Sequence, residues 1–248
     1  MAVCGYNPTV EATNGRLAAR PCELVVVGGS AGGIRAAAQL LAALPAEFPA
    51  SMLLVLHRSP THDTPLWRVL DARGPLTVRR AVDGATITPG RVLIAPPDRH
   101  LLVQDGHVHL DDGPRVNGFR PAVDPLFWSA AEVFGPRVVG VVLSGWMADA
   151  TAGLRAIKEH GGLALVQDPV EAPAWGMPRN AIANVAVDGV LPVGAMAGVL
   201  RRLTASSVGA PVWVNDHGAR NAGGHSHSHS TGDYSAPQEH TGWTTDPT

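Results

Sequence analysis

Short, wholly apolar runs alternate along the chain with longer stretches of mixed polarity. Leu24-Val25-Val26-Val27 is bounded by Gly28 and Gly29, and residues 52–56, 91–95, 138–143 and 163–166 repeat the pattern. Runs this short and this apolar read as strands buried on both faces of a sheet. Between them the apolar period changes. Ile34, Ala37, Ala38 and Leu41 mark a helix over 34–44, and further helices are expected at 65–70, 125–133, 150–160, 178–183 and 195–203. Another strand is expected at 76–81, and 101–104 and 107–110 flank Asp105-Gly106 as a hairpin. Strands interleaved with helices predict an α/β fold, a doubly wound and mainly parallel sheet with helices on both faces and one antiparallel hairpin.

Composition divides the chain into three parts. Residues 1–21 have no periodicity and read as a loose leader, 22–204 as the folded domain, and 205–248, rich in His, Ser and Gly, as a disordered tail. In that tail His225, His227 and His229 alternate with serines; a flexible segment offers a metal no fixed geometry, so no metal site is expected. Of the 248 residues 45% are hydrophobic and 16% charged, with a net charge of −2. That balance is globular and gives no support for a nucleic-acid surface. Cys4 and Cys22 fit neither a disulfide framework nor a metal site, which suits a reducing compartment. No apolar run reaches the ~18 residues of a spanning helix and no signal-peptide pattern opens the chain, so a soluble, cytoplasmic protein without membrane insertion is expected.

Candidate chemistry collects where open α/β sheets place it, at the carboxyl ends of strands. Gly28-Gly29-Ser30-Ala31-Gly32 spells G-x-S-x-G between a strand and a helix, a setting that exposes a serine hydroxyl. The turn alone leaves three readings open: a nucleophile, an anion-binding nest, or a simple helix cap. His57 closes the second strand, and Asp149 follows the strand at 138–143. Alone, Asp149 reads as a helix N-cap and His57 as a surface histidine, and Asp98, Asp124 and Asp168 compete as acids, Asp124 most seriously. Together Ser30, His57 and Asp149 supply what nucleophilic catalysis needs: a hydroxyl, a proton carrier and a group to orient it.

These segments resemble the catalytic domain of the CheB-type chemotaxis protein-glutamate methylesterases. The resemblance spans roughly Leu24 to Leu203 and rests on Gly28–Gly33, Leu56-His57, residues 94–100, Arg120-Pro121-Ala122-Val123-Asp124, Leu143-Ser144-Gly145 through Asp149, and Gly176-Met177-Pro178-Arg179. It implies hydrolysis of glutamate γ-methyl esters on chemoreceptor cytoplasmic helices, in many members with deamidation of receptor glutamines. It also implies Ser30 as nucleophile, His57 as general base and acid, Asp149 as its orienting acid, and no cofactor. Backbone N–H groups at Ala31 and around Trp146 are the expected oxyanion donors, with Trp146 and Met147 shaping the substrate cleft. The methylated receptor domain is the expected partner, with a methyltransferase or a separate receiver protein as further candidates.

The departures from the family pattern bear on substrate and control. Where relatives read L-T-G-M-G-x-D-G, this chain has Leu143-Ser144-Gly145-Trp146-Met147-Ala148-Asp149-Ala150, with Met147 and Ala150 in place of glycines. If either position needs positive φ, the loop is expected to take another path. About 23 residues precede the first strand, against ~100 for a domain, so control by a covering receiver domain is not expected. The rival readings are a binding module that has lost turnover, an esterase for another substrate, and a phosphate binder using the glycine turn.

Overall fold

The computed structural model describes residues 22–57 and 65–205. The expected leader, the tail with its three histidines, and the polar segment at 58–64 lie outside the described residues. The strands are β1 (Leu24–Gly29), β2 (Ser51–Leu56), β3 (Thr77–Arg80), β4 (Arg91–Ile94), β5 (His100–Gln104), β6 (His107–Asp111), β7 (Val138–Val142), β8 (Leu163–Gln167) and β9 (Gly189–Leu191). The helices are α1 (Gly33–Ala42), α2 (Leu66–Asp71), α3 (Val123–Phe134), α4 (Thr151–Glu159), α5 (Gly176–Asn184) and α6 (Val193–Ala205). Seven strands form one sheet in the order β3-β4-β2-β1-β7-β8-β9, all pairs parallel. The hairpin β5-β6 is antiparallel and forms its own two-stranded sheet.

Alternation along β1 explains the layers. Val25 and Val27 face one core with Ala37, Leu40 and Leu41 of α1, Leu70 of α2 and Leu200 of α6. Leu24 and Val26 face the other, with Leu126 and Phe127 of α3, Leu154 of α4, Ala181 of α5 and Leu101 of the hairpin. A strand sandwiched this way has no solvent face, which is why β1, β2 and β7 are apolar apart from Ser51 at the start of β2 and buried at every position. At one edge β3 exposes Thr77, Arg79 and Arg80 and buries Val78, charges that discourage pairing with another chain.

Chain order reverses beside β1: β2 lies on one side and β7 on the other. Their carboxyl ends therefore part at a switch point, where the loops after β1 and β7 diverge and leave a crevice. Ser30 and Ser144 follow the two strands into it. Among the described residues, no helix is long and apolar enough to cross a membrane.

Candidate active site

The turn after β1 is locked to the loop after β7. The Ser30 amide donates to the Ser144 carbonyl at 2.9 Å, and the Gly33 amide returns to the Ser30 carbonyl at 2.8 Å. Gly32 is the N-cap of α1, with φ 78° and no side-chain cap bond, so Ser30 is not the helix cap. Ser144 is completely buried and works as a rivet. Its hydroxyl donates to the Ala31 carbonyl at 2.7 Å and accepts from the Ala174 amide at 3.0 Å, while its own amide donates to Gln167 Oε1 at 2.8 Å. Gly145 must be glycine: a Cβ there would lie 2.1 Å from Met177 Sδ and 2.9 Å from Ser30 Cβ. Among the described residues the N–H groups of Ala31 and Trp146 have no backbone acceptor.

His57 continues from β2, its amide donating to the Gly29 carbonyl at 2.9 Å, so it stands beside the strand that delivers Ser30. Its ring is 4% exposed, and Nε2 donates to Asp149 Oδ2 at 2.7 Å. An ionised carboxylate only accepts, so Nε2 carries the hydrogen and Nδ1 of the neutral ring is the basic nitrogen. Nδ1 is buried and has no hydrogen-bond partner among the described residues. Ser30 and His57 are thus not hydrogen-bonded to each other in this resting arrangement. Phe119 stacks on the imidazole, centroids 3.8 Å apart and planes 11° from parallel, which fixes the ring plane.

Asp149 is not the N-cap of α4; Ala150 holds that position without a side-chain cap bond. Its carboxylate instead meets the N-terminus of α3. Val123 N–H donates to Oδ2 at 2.7 Å and Asp124 N–H to Oδ1 at 3.3 Å, with Asn117 Nδ2 on Oδ1 at 2.8 Å. Free amides at a helix N-terminus favour negative charge there. Burial pushes the Asp149 carboxyl up, but hydrogen bonds from His57 and the Val123 amide outweigh it and hold the carboxyl below its ordinary value. Asp124, the rival acid, does not touch His57. Burial first, and then the Asp149 charge, push its carboxyl up to about 6.

Two residues of this site went unread in the sequence. Val116 and Phe119 exchange backbone hydrogen bonds at 3.1 and 2.9 Å around Asn117-Gly118, both at positive φ. Asn-Gly is the strongest short turn signal there is, and it delivers Asn117 to the acids and Phe119 to the imidazole. Trp146 and Met147 are exposed at the rim, 52% and 64%. Trp146 meets Trp175 edge-on at 6.1 Å, and Arg179 stacks on Trp175 at 4.3 Å. Met147 and Ala150 have φ of 69° and 87°. The loop therefore keeps left-handed backbone at both former glycine positions, contrary to the expectation of a different path.

Residues 25–200 match the CheB methylesterase family. The chain belongs to that family. It is 45% identical over 73% of its length to protein-glutamate methylesterase/protein-glutamine glutaminase 2 of Anaeromyxobacter dehalogenans, and 40% identical over 73% to protein-glutamate methylesterase FrzG of Myxococcus xanthus. The matched part is 53% and 54% of those proteins, so the chain spans about half the length of these curated relatives. Among solved structures, the Thermotoga maritima CheB methylesterase catalytic domain superimposes with a TM-score of 0.70 at 36% identity, covering 74% of this chain and all of that one. The doubly wound sheet is thus the CheB catalytic architecture.

Proposed function

We propose that this CheB-family chain is a serine carboxylesterase that hydrolyses glutamate γ-methyl esters on chemoreceptor cytoplasmic helices. The observation that carries the reading is the buried His57–Asp149 pair, with its basic nitrogen unpartnered among the described residues and His57 at the end of the strand next to the one that presents Ser30. Ser30 Oγ attacks the ester carbonyl carbon as His57 Nδ1 takes the hydroxyl proton. The tetrahedral intermediate collapses, the C–O bond to the methoxy group breaks, and His57 returns its proton so that methanol leaves. Water then attacks the acyl-serine by the same proton route and frees the glutamate. Asp149 stabilises the imidazolium formed in each half. Ala31 and Trp146 N–H groups are the donors for the oxyanion, each worth roughly 3 kcal/mol of barrier. Catalytic hydrogen bonds often tighten only around substrate, which fits an unformed Ser30–His57 bond at rest.

The same acyl-serine forms from a glutamine side chain if ammonia leaves instead of methanol, and the Anaeromyxobacter dehalogenans relative is named for both activities. The test is methanol release from a methylated receptor cytoplasmic fragment. Wild-type protein is expected to release it, and Ser30→Ala to lower the rate by a factor on the order of 10⁴ or more. Equal release from both proteins would remove Ser30 from the reaction. Phosphonate labelling of Ser30 without methanol release would point to an esterase for another substrate.

A further inference from the structure

Asp149 is one of two buried carboxylates here. Asn117 has a single amide nitrogen, and its two hydrogens are both spent: one on Asp149 Oδ1 at 2.8 Å, the other on Asp124 Oδ2 at 2.7 Å. Asp124 Oδ1 takes the Gly153 amide of α4 at 2.7 Å, and the Asp124 amide reaches Asp149. A continuous relay thus runs from Asp124 through Asn117 and Asp149 to His57 Nε2. A helix-to-helix tie would need only the Gly153 bond. It would not need a second carboxylate set against the first across a shared amide, where like charges oppose each other.

We infer that Asp124 is a positioning residue: through Asn117 and Asp149 its charge acts on His57 and sets the pH range over which the imidazole accepts the serine proton. The groups facing Asp124 are few. The loop after β7 brings Asp149, and with it His57 from β2; α4 offers the Gly153 amide; the turn before α3 offers Asn117. Arg115 and Arg120 lie on the same segment as Asn117, but both pair with Asp98, which is 52% exposed. No described cation therefore neutralises Asp124, whose carboxyl burial and the Asp149 charge push up to about 6. With Asp124 ionised, a second negative charge supports an imidazolium at His57. With Asp124 protonated, that support is withdrawn.

The inference rests on the proposed Ser30–His57 chemistry, and its test separates the two. The rate of Ser30 labelling by a small phosphonate is followed against pH in wild type and in Asp124→Asn. Labelling that is absent from wild type at every pH overturns the esterase reading itself. Given labelling, Asp124→Asn should move the acid limb of the profile down by about one pH unit. A uniform fall with the limb in place would mark Asp124 as structural only and overturn the inference, as would an unchanged profile. Should the variant not fold, wild-type protein decides by NMR. The His57 ring signals should show a second inflection where the Asp124 carboxyl carbon titrates, and a single-step His57 titration would overturn the inference.

Discussion

Asp124 and Asp149 share the Asn117 amide and each meets a helix N-terminus, α4 for Asp124 and α3 for Asp149, yet burial and partners send their proton affinities in opposite directions. The consequence for stability has a definite sign. Asp124 keeps its proton to about 6 in the folded protein, against 3.8 for an ordinary aspartate. The folded state therefore binds the extra proton between those values, and this contribution is full below about pH 4 and lost as pH rises through 6. Asp149 runs the other way: its contribution is full above the ordinary aspartate range and is lost as pH falls through its lowered value. In Asp124→Asn the first dependence disappears. Relative to that variant, wild-type protein should lose on the order of 2 kcal/mol between pH 4 and pH 7. Denaturant unfolding of both proteins at the two pH values checks this. A gap that does not change with pH would place the Asp124 proton outside the range derived from its burial.

The loop between β7 and α4 shows how an element tolerates a departure from its family pattern. Left-handed backbone costs a residue with a Cβ roughly 1–2 kcal/mol, and Met147 and Ala150 both sit there. The path is held by neighbours: the Met177 amide donates to the Gly145 carbonyl at 2.8 Å, and Asn180 Nδ2 donates to the Met147 carbonyl at 2.8 Å. Met147→Gly should relieve its share of strain, less the 0.5–1 kcal/mol that glycine flexibility takes back. The side chain is largely exposed, so little burial is lost and a net gain of about 0.5 kcal/mol is expected in thermal or denaturant unfolding. A net loss would mean that the Met147 side chain contributes packing its exposure does not suggest. The same comparison shows what the sequence could reveal. Short apolar runs marked β1, β2 and β7 because burial on both faces dictates composition directly. Gly189–Leu191 escaped notice because a three-residue edge strand, half-buried throughout, needs no such run. Ser30, His57 and Asp149 were legible as strand-end residues. Asn117 and Phe119 act across space from a turn, and only the folded chain shows that one turn touches both acids and the imidazole.

At the scale of the molecule, the described fold closes on itself at residue 205. The Cys22 amide, just before β1, donates to the Leu203 carbonyl of α6 at 3.2 Å. Leu200 and Leu203 complete the core on that face at 0% and 5% exposure. The loops that carry Ser30, His57 and Asp149, by contrast, follow β1, β2 and β7, and Asp149 meets the N-terminus of α3, all within the described residues. Deleting residues 206–248 should therefore leave methanol release and the unfolding midpoint near those of the full chain. Deletion from Leu200 onward should not be tolerated, because each buried leucine removed costs about 2–5 kcal/mol from a total of roughly 5–15 kcal/mol. The two truncations, assayed side by side on methylated receptor fragment, locate the boundary of the working unit. Activity lost with the shorter deletion and restored by a transition metal on the full chain would instead bring His225, His227 and His229 into the function.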